Sequence, residues 1–165
     1  MLPIVLNPVA LSIGLAGAGE GVTRRRAMLA EAGIDPVAIA AGSPLEGLSV
    51  LFVAGLGREP SERLAQRARD LGILVNVEDI PQLCDFHVPA AIRRGDLVLT
   101  VSTGGKSPGL AKVIREWLEH RIAPEWSGRL GEMAQARANW RAQGQAPSDV
   151  AQRTRDFVRE RNWLS

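Results

Sequence analysis

The stretch Ile13–Arg26, IGLAGAGEGVTRRR, decides how this chain is read. An apolar run meets a turn of glycines, and an arginine-rich helix start follows. Gly17 and Gly19 keep the turn small, and the helix start presents free backbone N–H groups and a positive dipole end. That is the local chemistry of a pyrophosphate site. In the dinucleotide pattern G-x-G-x-x-G the third glycine would stand at position 22, where this chain has Val22. The pattern alone therefore fits two readings, a dinucleotide site and a merely tight strand–helix turn.

Working outward, Val9–Leu15 is predicted to be a first strand and Thr23–Ala32 a helix closed by Gly33. Pro36–Ala40 reads as a short second strand. Ser49–Ala54 (SVLFVA) is apolar throughout, as buried parallel strands are. Glu59–Leu71 has helical spacing, and Ile73–Val77 is another buried strand. Strands alternating with helices imply an α/β domain with a parallel sheet, and ligands of such sheets sit beyond the carboxyl ends of the strands. After about Pro89 the texture changes. Leu97–Ser102 is predicted as a strand, Ser102–Pro108 as a glycine turn, and Gly109–Arg121 as an amphipathic helix with Leu110, Val113, Ile114 and Trp117 on one stripe. Glu125–Gln143 and Ser148–Asn162 read as further helices.

Composition narrows the function. No segment approaches the roughly 20 apolar residues that span a bilayer. Leu2–Ile13 contains prolines and lacks a basic leader, so neither a membrane association nor a secretory signal is expected. The single cysteine, Cys84, has no internal disulfide partner, which fits a reducing cytoplasm. Tyrosine is absent and aromatics make up 4%, too few for a base-stacking platform, so no nucleic-acid partner is expected. Residues 1–89 hold 7 Lys/Arg against 10 Asp/Glu, a charge of −3, whereas residues 90–165 hold 13 against 8, a charge of +5. The basic half reads either as solvated helix faces or as a surface for an acidic ligand or partner.

Three further motifs bear on chemistry. Asn76–Asp79 (NVED) follows a buried strand, so a carboxylate there stands at the functional edge of the sheet. Glu78 and Asp79 are adjacent, so if one faces the cleft the other faces away; a turn or cap role is the alternative. Ser102–Pro108 (STGGKSP) is not a P-loop, because the first glycine of that motif would fall at Thr100. Its hydroxyls, lysine and N–H groups suit a carboxylate, or simply cap a helix. His87, with Cys84 and Asp85 near it, and His120 match no zinc spacing, so no metal site is assigned.

These pieces, taken in order, resemble one family. GAGEGVTRRRAMLAEAG resembles the glycine-turn segment of the siroheme synthase N-terminal region, the precorrin-2 dehydrogenase and sirohydrochlorin ferrochelatase family. NVED resembles that family's strand end with its catalytic aspartate. CDFHVPAAIRRGDLVLTVSTGGKSPGLAKVIREWLE at 84–119 resembles its most distinctive run. The resemblance implies a Rossmann-like NAD-binding domain at 1–89, a dimerisation and substrate-side segment at 90–121, and a helical tail at 122–165. It implies NAD-dependent oxidation of precorrin-2 to sirohydrochlorin, and insertion of ferrous iron, a substrate, into that acidic tetrapyrrole by a homodimer. By position, Asp79 is the implied catalytic residue. Gly17, Gly19, Glu20, Gly21, Val22, Ala41, Gly42 and Asn76 are the implied cofactor residues. Ser102, Thr103, Gly104 and Lys106 are the implied substrate residues.

The chain also departs from the family. Only Gly42–Leu48 lies between the second strand and SVLFVA, where family members place a further strand and helix. GLGREP stands where an acidic segment is usual, and the second strand ends in Ala40–Gly42 without an acid for a ribose hydroxyl. The expected sheet is therefore shortened. A chelatase without dehydrogenase activity and a non-catalytic tetrapyrrole-binding protein remain the alternative readings.

Overall fold

The computed structural model describes residues 2–164. The chain forms two compact units, divided between Val88 and Pro89.

The first unit runs β1 (Ile13–Gly17), α1 (Gly19–Ala30), β2 (Val37–Ile39), β3 (Val50–Ala54), α2 (Arg58–Asp70) and β4 (Leu74–Val77). All four strands are parallel, in the order β2-β1-β3-β4. Alternation along the strands feeds two cores. Ile13, Leu15, Val50 and Phe52 join Leu29 of α1 on one face. Ala16, Leu51, Val53, Val75 and Val77 join Ala65 and Ala68 of α2 on the other. This is the shortened Rossmann-like sheet that the sequence predicts. β2 flanks β1 on one side and β3 on the other, so the chain changes direction between β1 and β3.

Between Ile39 and Val50 there is no further strand or helix, and β2 is an edge. Leu45, 1% exposed, and Leu48 fill the space instead. Gly14 makes this possible, because a Cβ there would stand 2.7 Å from Leu48 Cδ1. Two boundaries differ from expectation. Pro8–Ala10 is a 3-10 turn, with Asn7 Oδ1 accepting from the Val9 N–H, so β1 begins only at Ile13. Helix α1 begins at Gly19 rather than Thr23, because the glycine turn is itself the first helical turn.

The second unit begins with an antiparallel hairpin, β5 (Ala90–Arg94) and β6 (Leu97–Val101), joined at Gly95–Asp96. Helix α3 (Pro108–Arg121) packs on it. Arg94 ties the hairpin to the end of that helix, with Nε donating to Ile122 O at 2.7 Å and Nη2 to Glu119 O at 3.3 Å. Helices α4 (Trp126–Ala142) and α5 (Pro147–Glu160) bury Met133 and Val150. Edge-to-face contacts link Trp126, Trp140, Phe157 and Trp163, so the tryptophans serve packing here. Strand β5 lies outside the elements the sequence predicts, because Ala-Ala-Ile-Arg-Arg has weak strand propensity; Gly95–Asp96 is its one hairpin signal.

Candidate active site

The site begins where the two central strands end. Gly17 has φ +134°, and a Cβ there would stand 1.7 Å from Ala54 O. Gly55 has φ +67°, and a Cβ there would stand 2.0 Å from Ala18 O. The turns after β1 and β3 are thus pressed together, and the Ala18 N–H donates to Ala54 O at 3.2 Å. Gly21 is buried, and a Cβ on it would meet Gly55 N at 2.7 Å. The close helix–strand approach that a third glycine normally permits is therefore made at Gly21, one residue early. Val22 packs its side chain into the core on the α1 face.

Above this junction lies open space. Gly19, at φ +63°, has nothing within 4 Å of a Cβ position. The N-cap of α1 is Ala18, which supplies no side-chain cap, so the first-turn N–H groups lack one. Glu20 is exposed in that turn and reaches Arg24 at 3.7 Å. These residues fit a dinucleotide pyrophosphate: Gly17 and Gly21 leave no room for a side chain, the helix start is uncapped, and the approach over Gly19 is clear. On the other flank, Ala41 and Gly42 lie exposed in the turn after β2. The acid nearest that strand in sequence, Asp35, lies before it and pairs with Arg26 at 3.3 Å.

At the end of β4 the two adjacent carboxylates diverge. Asp79 is exposed and adopts φ +61°. Glu78 has an 18% exposed side chain, pairs with Arg24 at 3.6 Å, and would meet a Cβ on Gly21 at 2.5 Å. Within this unit, Glu78 is thus the carboxylate against the glycine turn, while Asp79 projects to the surface. Arg25 lies half-buried over the Phe52 ring at 5.3 Å. Its burial lowers its pKa, against the opposing pull of Glu78, Cys84 and Asp79. Asn76, expected among the cofactor residues, is buried, and its Nδ2 donates to Phe86 O at 2.9 Å. Its amide nitrogen is committed inside the fold, and among the described residues its Oδ1 finds no hydrogen-bond donor.

In the second unit, Thr103 Oγ1 donates to Ser107 O at 3.0 Å and accepts from the Ser107 N–H at 3.2 Å. Ser102 Oγ accepts from the Gly104 N–H at 3.3 Å. Thr103 is therefore a turn staple, whereas Ser102 and Lys106 are exposed. Gly55 is a structurally important residue outside the sequence reading, and Cys84, considered there only for a disulfide or a metal, has a structural role that the reading does not give. A glycine directly after an apolar strand was the available signal for Gly55; nothing periodic marks Cys84. Among the described residues, no group of three His, Cys, Asp or Glu side chains is placed to hold a metal ion. No helix among them is long and apolar enough to cross a membrane.

A parallel sheet whose strand order reverses beside an open, uncapped glycine turn defines a dinucleotide-binding α/β domain. Residues 24–90 match the family described as "Putative NAD(P)-binding", and residues 94–121 match "Sirohaem biosynthesis protein central". A siroheme synthase of Stutzerimonas stutzeri is 34% identical over 182 aligned positions, covering 96% of this chain and 38% of that protein. One of Methylococcus capsulatus is 34% identical over 156 positions, covering 81% and 33%. The fold matches the structure of SirC, precorrin-2 dehydrogenase, with a TM-score of 0.71 over 100% of this chain and 93% of that one, at 20% identity. The chain belongs to the siroheme synthase family. It spans about a third of the length of these two curated relatives.

Proposed function

We propose that this chain is an NAD-dependent precorrin-2 dehydrogenase that produces sirohydrochlorin for siroheme biosynthesis in the cytoplasm. The observation that carries the reading is the uncapped start of α1 over the Gly17–Gly19 turn, at the point where the sheet reverses. In this reading the backbone of Gly17, Gly19, Glu20 and Gly21 holds the pyrophosphate, and Ala41 and Gly42 border the adenosine. A bound nicotinamide supplies the hydride acceptor. Asp79 accepts the proton released as the macrocycle is oxidised; its exposed, ionisable carboxylate at a strand's carboxyl end suits that role. Ser102, Gly104 and Lys106 take carboxylates of the tetrapyrrole, a polyanion suited to the charge of +5 over residues 90–165.

We further propose a homodimer. Leu110, Val113 and Trp117 line α3 at 51%, 60% and 55% exposure, an apolar stripe suited to a second copy. A second functional reading, ferrous iron insertion into sirohydrochlorin without dehydrogenase activity, draws support from the shortened crossover and the missing acid after β2.

Titration with NAD while following thermal unfolding separates the two. A site filled at about 100-fold excess over Kd adds about 2.7 kcal/mol and raises the midpoint. No shift at millimolar NAD removes the dehydrogenase reading. The visible spectrum of sirohydrochlorin with ferrous ion, with and without protein, then tests the chelatase.

A further inference from the structure

We propose that Cys84 is a positioning residue for Asp79, acting with Asp85 and Arg69 as a clamp on the neck of the loop that presents it. The proposal rests on Asp79 being the proton acceptor. The chain leaves β4 at Val77 and returns at Cys84, so residues 78–83 form a loop closed at its base. Within it, Asp79 holds φ +61°, a left-handed turn conformation that is uncommon for non-glycine residues and that Asp and Asn adopt more readily than the rest.

One sulfur atom engages both sides of that base. The Val77 N–H donates to Cys84 Sγ at 3.3 Å, and the thiol lies 3.2 Å from Val77 O and 3.5 Å from Ile80 O, within reach to donate. Asn76 Nδ2 lies 3.6 Å from the same sulfur. The next residue takes the place of a neighbouring strand along the free edge of β4. The Asp85 N–H donates to Val75 O at 2.8 Å, and Asp85 Oδ2 accepts from the Val75 N–H at 2.9 Å. Asp85 Oδ1 accepts from Arg69 Nε at 2.9 Å, and Arg69 Nη2 donates to Leu83 O, the last loop residue, at 2.9 Å. Ile80, Leu83 and Cys84 also pack against the α2-side core. These bonds tie down the base of the loop, and through the backbone they set where Asp79 leaves it, by groups that need not touch substrate. Misplacing a catalytic group by about 1 Å can cost on the order of 100-fold in rate.

The test uses the full chain with precorrin-2 and NAD. Cys84→Ala removes both the acceptor for Val77 and the thiol proton. It is expected to lower kcat by roughly 10- to 100-fold while KM for either substrate stays within about twofold. Cys84→Ser, which keeps a donor and an acceptor, should recover most of that loss. In an Asp79→Asn background, Cys84→Ala should cost nothing further, because a positioning residue acts only through the group it positions. Wild-type kcat in Cys84→Ala, or an equal further loss in the Asp79→Asn background, overturns the clamp while leaving Asp79 in its role. A wild-type rate in Asp79→Asn overturns the base assignment itself, and the clamp with it. If Cys84→Ala does not fold, Asp85→Asn serves. It weakens the Arg69 pairing yet keeps an acceptor for Val75, and should lower kcat with KM held; unchanged kcat overturns the proposal.

Discussion

Two glycine turns in this chain look alike as sequence and differ as structure. GAGEG at 17–21 and STGGKSPG at 102–109 each follow a strand and open a helix, and each reads as a place for an anion. In the first, the cap is Ala18 with no side-chain hydrogen bond, and a Cβ on Gly19 would meet nothing within 4 Å. In the second, Ser107 Oγ accepts from the Leu110 N–H and Thr103 Oγ1 bonds Ser107 twice. One helix start has no side-chain cap, while the other has Ser107 capping Leu110 and a proline in its first position. What separates them is the cap, not the number of glycines.

The largest expected effect follows if the first turn serves chemistry and the second only binding. Asp79→Asn, beyond the strand next to the first turn's partner, should lower kcat by about 10²- to 10⁴-fold, as loss of a proton acceptor does. Lys106→Ala, in the second turn, should raise the KM for precorrin-2 with kcat nearly kept, since it removes one charge contact from a polyanion. Steady-state kinetics on both variants checks this. A kcat loss in Lys106→Ala matching that of Asp79→Asn would erase the distinction.

Next in size is stability. Gly17→Ala puts a methyl group where Ala54 O stands 1.7 Å away, on a backbone at φ +134°. Backbone must move, and a loss of about 3 kcal/mol or more is expected. Gly105→Ala, at φ +79° with open space around it, should cost only about 1 kcal/mol. Denaturant unfolding reads both, and equal costs would show that the first turn is not pressed against β3.

How much of this was legible beforehand follows the same physics. SVLFVA announced β3 because a fully buried strand needs an unbroken apolar run, and helical spacing announced α2 and α3 to within a residue or two. The start of α1 was placed four residues late, because glycines carry low helix propensity even where a turn requires them. Residue counting revealed the shortened crossover. That Leu48 would lie over Gly14 did not follow from counting, because such packing depends on which strands become neighbours. In the first turn, the glycines could be read from order and spacing, whereas Asp79 was singled out from Glu78 only by the family resemblance. The inward position of Glu78 and the sulfur contacts of Cys84 could not, because they are set by the path of the loop after β4.

A smaller effect isolates the first turn's ligand. Gly19→Ala keeps its surroundings free of clash but strains a residue at φ +63° and crowds the approach to the helix start. Stability should fall by about 1 kcal/mol, whereas the NAD-induced rise in the unfolding midpoint should largely vanish. A midpoint shift as large as in the unaltered protein would mean that the cofactor does not pass over Gly19.

The finest test is made at the capped turn. Ser107 Oγ accepts the Leu110 N–H at 3.3 Å, a long bond, and Pro108 at the helix start has no N–H to satisfy. Ser107→Ala should therefore cost about 0.5–1 kcal/mol, the low end for a lost N-cap, read as a small fall in the unfolding midpoint. The same variant also tests the cap argument from the other side. It leaves α3 with an uncapped start beneath glycines, as α1 has, yet the Thr103–Ser107 backbone staple remains. If an open cap sufficed to create a dinucleotide site, Ser107→Ala would gain NAD affinity. The NAD titration is expected to match the unaltered protein's, because a pyrophosphate needs the strand-end glycines and the clear approach together with free N–H groups.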